Sequence, residues 1–201
     1  MAAASNSLRF AVAALAAVLV ATLLGAGRSA GLDLAGQRVL LIGSSSAVIA
    51  GSKLKAMLEA HGIAAFRNIG VSGTTLYQWS DNATAPGRSL EAELLQFQPT
   101  LVLIYVGTND EAGGGAGTKA PAIERLHRKL AGTRSIFIGL PPHTNWTMIR
   151  PFRDLLAKTW GADFFNAEVL NPEKAPDGYH LSSRGYSVVV AALESWLLAK
   201  R

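Results

Sequence analysis

The chain of 201 residues contains no cysteine, which excludes disulfides, thiolate metal sites and a cysteine nucleophile together and leaves the redox compartment open. Charged residues are also sparse, at 16% against 49% hydrophobic, a balance that reads as globular rather than disordered. The net charge of +5 is scattered. Only Arg125-Leu126-His127-Arg128-Lys129 approaches a basic cluster, on a segment with helical spacing where a solvated face is the simpler reading. Nucleic acid is therefore not an expected partner. Neither a Walker-type Gly-Lys-Ser/Thr nor a dinucleotide glycine fingerprint is present.

No acid precedes Asp33. Residues 1–31 are instead Arg9, an apolar run from Phe10 to Leu24 broken only by Thr22, and then Gly25-Ala26-Gly27-Arg28-Ser29-Ala30-Gly31. The run has the length of a signal-peptide core and falls short of the roughly 20 residues that span a bilayer comfortably. It reads as an export signal, with a retained membrane anchor as the alternative. Gly25-Ala26-Gly27 fits a small-x-small cleavage site, whereas Ala30 has Arg28 two positions before it. A periplasmic, cell-surface or secreted domain of residues 32–201 is expected. Arg9 and Arg28 carry two of the five charges, which leaves +3 for that domain.

Beyond the leader, short β-type runs alternate with helical ones. Strands are expected at Arg38 to Ile42, Ala64 to Asn68, Leu101 to Val106, Ser135 to Ile138 and Ala162 to Phe165. Helices are expected at Ser52 to His61, Ser89 to Phe97, Pro121 to Ala131, Met148 to Trp160 and Arg184 to Ala199. The first, third and fourth strands are apolar without alternation, as when helices cover both faces of a parallel sheet. A three-layer α/β/α sandwich on a five-stranded parallel sheet follows. In such sheets ligands bind beyond the carboxyl ends of the strands, so the loops there are where chemistry is sought.

Four of those loops carry reactive groups. Gly43-Ser44-Ser45-Ser46 follows the first strand, as a nucleophile turn, a serine-rich helix cap or a phosphate-cradling turn. Gly70-Val71-Ser72-Gly73-Thr74-Thr75 follows the second, where Gly73 lets the backbone approach a ligand or simply makes a turn. Gly107-Thr108-Asn109-Asp110 follows the third; Asn109 is an amide donor or a turn residue, and Asp110 caps a helix or braces the loop. Asp177-Gly178-Tyr179-His180 precedes the last helix and places a carboxylate one turn ahead of an imidazole, the pairing that makes histidine a general base for a hydroxyl.

Together these blocks resemble the SGNH, or GDSL, hydrolase family over about residues 37 to 199. Gly-Thr-Asn-Asp after an apolar strand and Asp-Gly-Tyr-His-Leu-Ser before the final helix are the specific parts. The resemblance implies a flavodoxin-like fold and a serine esterase with Ser45 as nucleophile, His180 as general base and Asp177 as its orienting carboxylate. It implies an oxyanion hole made of the Ser45 and Gly73 backbone N–H groups and the Asn109 side chain, with no metal or organic cofactor. Export and the absence of a large lid or second domain favour a small acyl group, such as O-acetyl on a carbohydrate, although a lipase, thioesterase or lysophospholipase would use the same residues. The same triad serves an O-acyltransferase acting on cell-envelope glycan, and a glycan-binding protein that has lost turnover is a third reading. One departure stands out: the family's Gly-Asp-Ser is here Gly43-Ser44-Ser45, so the usual carboxylate is missing and Ser44 is a rival nucleophile.

His143, after the fourth strand, is a candidate substrate contact, and it has no partner ligand at metal spacing. Tyr77, Trp79 and Trp146 are candidates for stacking at the pocket rim, with core packing as the competing role.

Overall fold

The computed structural model describes residues 31–81, 89–110, 116–141 and 146–200. The expected leader therefore lies outside the described residues. The apolar runs form five strands: β1 (Arg38–Gly43), β2 (Ala65–Asn68), β3 (Leu101–Tyr105), β4 (Arg134–Ile138) and β5 (Phe164–Phe165). They lie in the order β2-β1-β3-β4-β5, and every pairing is parallel. Six helices are described: α1 (Ser45–Ala60), α2 (Leu76–Ser80), α3 (Leu90–Phe97), α4 (Ala116–Lys129), α5 (Trp146–Trp160) and α6 (Ser183–Ala199).

The missing alternation in the strands has a direct cause. Successive strand side chains point to opposite faces, and both faces are covered. Val39, Leu41, Leu103 and Tyr105 enter one core with Leu54 and Leu58 of α1 and Val189, Leu193 and Leu197 of α6. Leu40, Ile42, Val102 and Ile104 enter the other with Leu76, Trp79, Phe97, Leu126 and Trp160 from α2 to α5. Each such side chain, once fully buried, contributes about 1.5–3 kcal/mol of transfer free energy. The result is the three-layer α/β/α sandwich.

The chain leaves β1 for β2 on one side and returns to β3 on the other, so the switch point lies between the carboxyl ends of β1 and β3. Gly43 sits there with φ +148°, and a Cβ on it would come within 2.0 Å of the Tyr105 carbonyl oxygen. Only glycine lets the strands close at this point.

Helix starts differ from expectation. α1 begins at Ser45 rather than Ser52, because the small residues Ser46, Ala47, Ala50 and Gly51 form its buried face and give no strong apolar period. α4 begins at Ala116 and carries Pro121 inside it. α2, a single short turn at Leu76–Ser80, has no counterpart in the sequence expectations.

Candidate active site

The end of β1 is pinned from both sides. Ser44 N–H donates to the Tyr105 carbonyl at 3.1 Å, and Val71 N–H donates to the Gly43 carbonyl at 2.9 Å. Backbone bonds to the end of β3 and to the loop after β2 thus brace this turn. Ser44 is the extended N-cap of α1, wholly buried, and its Oγ has no hydrogen-bond partner among the described residues. Ser45, the first helical residue, is half-buried and turned toward the surface. Of the adjacent serines, it is Ser45 whose Oγ meets the His180 ring, 2.9 Å from Nε2.

The imidazole is held by a compact loop. Lys174 and Leu181 form an antiparallel bridge, the His180 carbonyl accepts from Ala175 N–H at 2.9 Å, and Gly178 takes φ +73° at the tip. Asp177 organises it: Oδ1 accepts the backbone N–H groups of Tyr179 and His180, each at 2.9 Å, and Oδ2 lies 2.7 Å from His180 Nδ1. The ring bond first, and then the two backbone donors, hold the Asp177 carboxyl well below the usual range, at about 2. An ionised carboxylate only accepts, so Nδ1 carries the proton and Nε2 is left to accept from Ser45 Oγ–H. Ser182 caps α6 behind the loop, accepting Gly185 N–H at 3.0 Å and donating to Glu173 at 2.6 Å.

Facing Ser45 are the loops after β2 and β3. Gly73 is exposed at φ +82°, and its N–H has no acceptor among the described residues. The same is true of Ser45 N–H, which as the first helical N–H has no intrahelical acceptor. Asn109 donates one amide hydrogen to the Thr74 carbonyl at 2.9 Å and has a second to spare. Thr74 is buried and ties these loops together: its Oγ1 lies 2.7 Å from the Val71 carbonyl and 3.2 Å from that of Gly43, and accepts the Trp79 indole N–H at 3.0 Å. N–H groups without an acceptor among the described residues thus lie on loops bonded to the Gly43 end of β1, next to the hydrogen-bonded run of hydroxyl, imidazole and carboxylate.

The aromatic candidates separate. Trp79 has no exposed surface and belongs to the core, so the rim role expected for it is wrong; α2 turns its ring inward to the Thr74 hydroxyl. Tyr77 on the same short helix is 59% exposed, and the Arg125 guanidinium faces its ring at 5.7 Å. His143 and the Trp146 side chain lie outside the described residues.

A small crevice of about 20 Å³ adjoins the site, lined by Ser46, Tyr105, Thr108, Leu140, Leu181 and Tyr186 among others. Several of these are chain neighbours of Ser45, Asn109 and His180. Burial pushes the phenols of Tyr105 and Tyr186 up, so both are protonated at neutral pH. Sequence reading missed this lining, although Tyr105 closes an apolar strand and Tyr186 follows the Ser182 cap. Among the described residues no three His, Asp or Glu side chains gather as for a metal ion, and no helix is long and apolar enough to cross a membrane.

No protein-family model matches the chain, and no curated protein matches it. Solved structures do. A lipase/acylhydrolase from Enterococcus faecalis aligns with a TM-score of 0.63 at 18% identity, covering 78% of this chain and 93% of that one. The psychrotrophic esterase EstA from Pseudoalteromonas sp. gives 0.63 at 17%, covering 78% and 94%. A family 3 carbohydrate esterase from Clostridium thermocellum gives 0.60 at 16%, covering 78% and 92%. The likeness is one of fold, the α/β/α fold that SGNH and GDSL hydrolases share.

Proposed function

We propose that this chain is an exported SGNH-type serine esterase that removes small acyl groups, such as O-acetyl, from a carbohydrate. The single observation that carries the reading is the hydrogen-bonded run from Asp177 through His180 to Ser45 Oγ, with bond lengths of 2.7 and 2.9 Å. These are the distances at which a weak hydroxyl is activated by an adjacent base.

In the reaction, Ser45 Oγ bonds to the ester carbonyl carbon while His180 Nε2 takes the Oγ proton. Asp177 holds the resulting imidazolium in place. The carbonyl oxygen, now negative, is received by the N–H groups of Ser45 and Gly73 and the free hydrogen of Asn109, preorganised donors that cost no rearrangement when the charge develops. Collapse breaks the ester C–O bond, and His180 passes its proton to the leaving alkoxide. Water then attacks the acyl carbonyl while His180 Nε2 takes its proton; collapse breaks the Ser45 Oγ–acyl bond, the proton returns to Oγ and the carboxylic acid leaves.

Two observations support a small acyl group. The crevice beside Ser46 and Tyr179 is small, about 20 Å³, enough for a methyl group or a single water. The site is open, with Asp177 and His180 side chains 50% and 35% exposed, as suits a bulky polar leaving group. The likeness in fold to a carbohydrate esterase points the same way. Export is supported by the apolar run of residues 10–24 alone.

The test is release of acetate from an acetylated xylan and from acetylated glucosamine oligomers, with p-nitrophenyl acetate, butyrate and octanoate beside them. The reading expects acetate release and rates falling with chain length. A preference for octanoate would contradict the small-acyl assignment, and acetyl appearing on an added sugar rather than as free acetate would replace the hydrolase with an acyltransferase.

A further inference from the structure

Asp110 is a buried carboxylate for which the proposed chemistry has no use. Its residue is 7% exposed, and both of its oxygens accept the backbone N–H of Leu76, at 3.1 and 3.0 Å, where α2 begins. Burying a carboxylate is costly unless hydrogen bonds offset it, so its placement calls for a reason. The residue just before it, Asn109, donates to the Thr74 carbonyl at 2.9 Å. Two consecutive residues of the β3 loop therefore grip the β2 loop at positions 74 and 76, one as donor and the other as acceptor. Gly73 precedes that grip at a left-handed φ of +82°, with no side chain to hold it. The Thr74 hydroxyl, engaged with Val71, Gly43 and Trp79, closes the remaining side.

We propose that Asp110 is a positioning residue of the oxyanion hole: by holding Leu76 N–H it fixes the Gly73–Thr74 loop against Asn109 and sets the spacing of two of the three donors. It touches neither the substrate nor the reacting atoms. The inference rests on the serine esterase reading above. A residue that merely capped α2 would affect how much protein is folded and leave the rate per folded molecule alone. One that sets donor geometry acts where charge develops, and lowers kcat with KM unchanged.

The experiment uses the full-length protein, p-nitrophenyl acetate as substrate and methylboronic acid as a probe that forms a tetrahedral adduct on serine. Asp110→Asn keeps the shape and one acceptor oxygen, whereas Asp110→Ala removes both. A misplacement of about 1 Å costs about 10²-fold, so kcat is expected to fall about 100-fold for alanine and about 10-fold for asparagine, with KM within about twofold. Methylboronic acid inhibition weakens by the same factors. The double variant Asn109→Ala/Asp110→Ala is clearly faster than the product of the two singles, since both act on one hole.

Folded variants with kcat within about twofold of wild type, or a double variant as slow as the product of the singles, would overturn the proposal. If both Asp110 variants fail to fold, amide NMR of the wild type decides. The Gly73 and Leu76 resonances shift together on adduct formation if the clamp transmits, and a shift at Gly73 alone refutes it. A wild type that neither turns over ester nor binds methylboronic acid sinks the esterase reading itself, an outcome distinct from either of these.

Discussion

Replacing Asp177 by asparagine separates the charge of this residue from its architecture. Oδ1 accepts two backbone N–H groups at 2.9 Å, so the amide oxygen of the substituted side chain settles there and keeps the loop. The amide nitrogen must then face His180 Nδ1, 2.7 Å away in the wild type. Two donors cannot share that contact, so the ring adopts the other tautomer, with its proton on Nε2 pointing at Ser45 Oγ. A base that already carries its proton cannot accept another. In serine hydrolase triads this exchange costs about 10⁴-fold in kcat. Here the pair is part-exposed and water competes for Nδ1, so a loss of about 10³-fold is expected. The thermal midpoint changes little, because the loop bonds survive. Hydrolysis of p-nitrophenyl acetate measures the rate, and the ¹⁵N shifts of the histidine ring report the tautomer directly. An Asp177→Asn protein within about tenfold of wild-type kcat, with Nδ1 still protonated, would refute the reasoning.

Other outcomes follow from the same geometry. The Asp177 carboxyl lies at about 2 against an ordinary 3.8, so its pairing stabilises the fold fully above the ordinary value and is lost as pH falls from there toward 2; the downfield His180 Nδ1–H resonance should persist at pH 4 and vanish near pH 2. Ser44→Ala removes a buried hydroxyl that has no partner among the described residues, so it is expected to keep kcat within about twofold and to raise the thermal midpoint by about 2–4 °C, equivalent to about 1 kcal/mol; a large loss of activity would reinstate Ser44 as nucleophile. Gly43→Ala drives a Cβ into the Tyr105 carbonyl at the sheet's switch point and is expected to cost about 4 kcal/mol or more, read as a collapse of the melting midpoint; a normal melt would show that the close approach is not required.

The architecture was legible because both sheet faces are buried. Val39-Leu40-Leu41-Ile42 sends alternate residues to two different cores, and so the strand shows no alternation and announces a parallel sheet covered on both sides. The loop groups were legible because the chemistry needs particular residue types at strand ends, and the fold brings Ser45 and His180, 135 positions apart, to 2.9 Å. What sequence could not show depends on short-range geometry. The start of α1 was hidden because its buried face is built from serine, alanine and glycine, with Gly51 packed so closely on Asn68 that a Cβ would stand 2.2 Å from Nδ2. Trp79 was misread because α2, at five residues, is too short to leave a periodic signature, and the direction of the ring depends on that turn. Asp110 was left between capping and bracing because its partner, Leu76 N–H, belongs to the same unforeseen helix.

The central claim is that Ser45 is the nucleophile, and covalent capture tests it most directly. The full-length protein would be treated with a p-nitrophenyl alkylphosphonate ester, and intact mass and peptide mapping would be recorded for wild type, Ser45→Ala, Ser44→Ala and His180→Ala. The account predicts one phosphonyl group on Ser45 in wild type and in Ser44→Ala, none in Ser45→Ala, and labelling slowed by orders of magnitude in His180→Ala. A label on Ser44 or Ser46, or a well-folded wild type that takes no label at concentrations that inactivate other serine esterases, would contradict it.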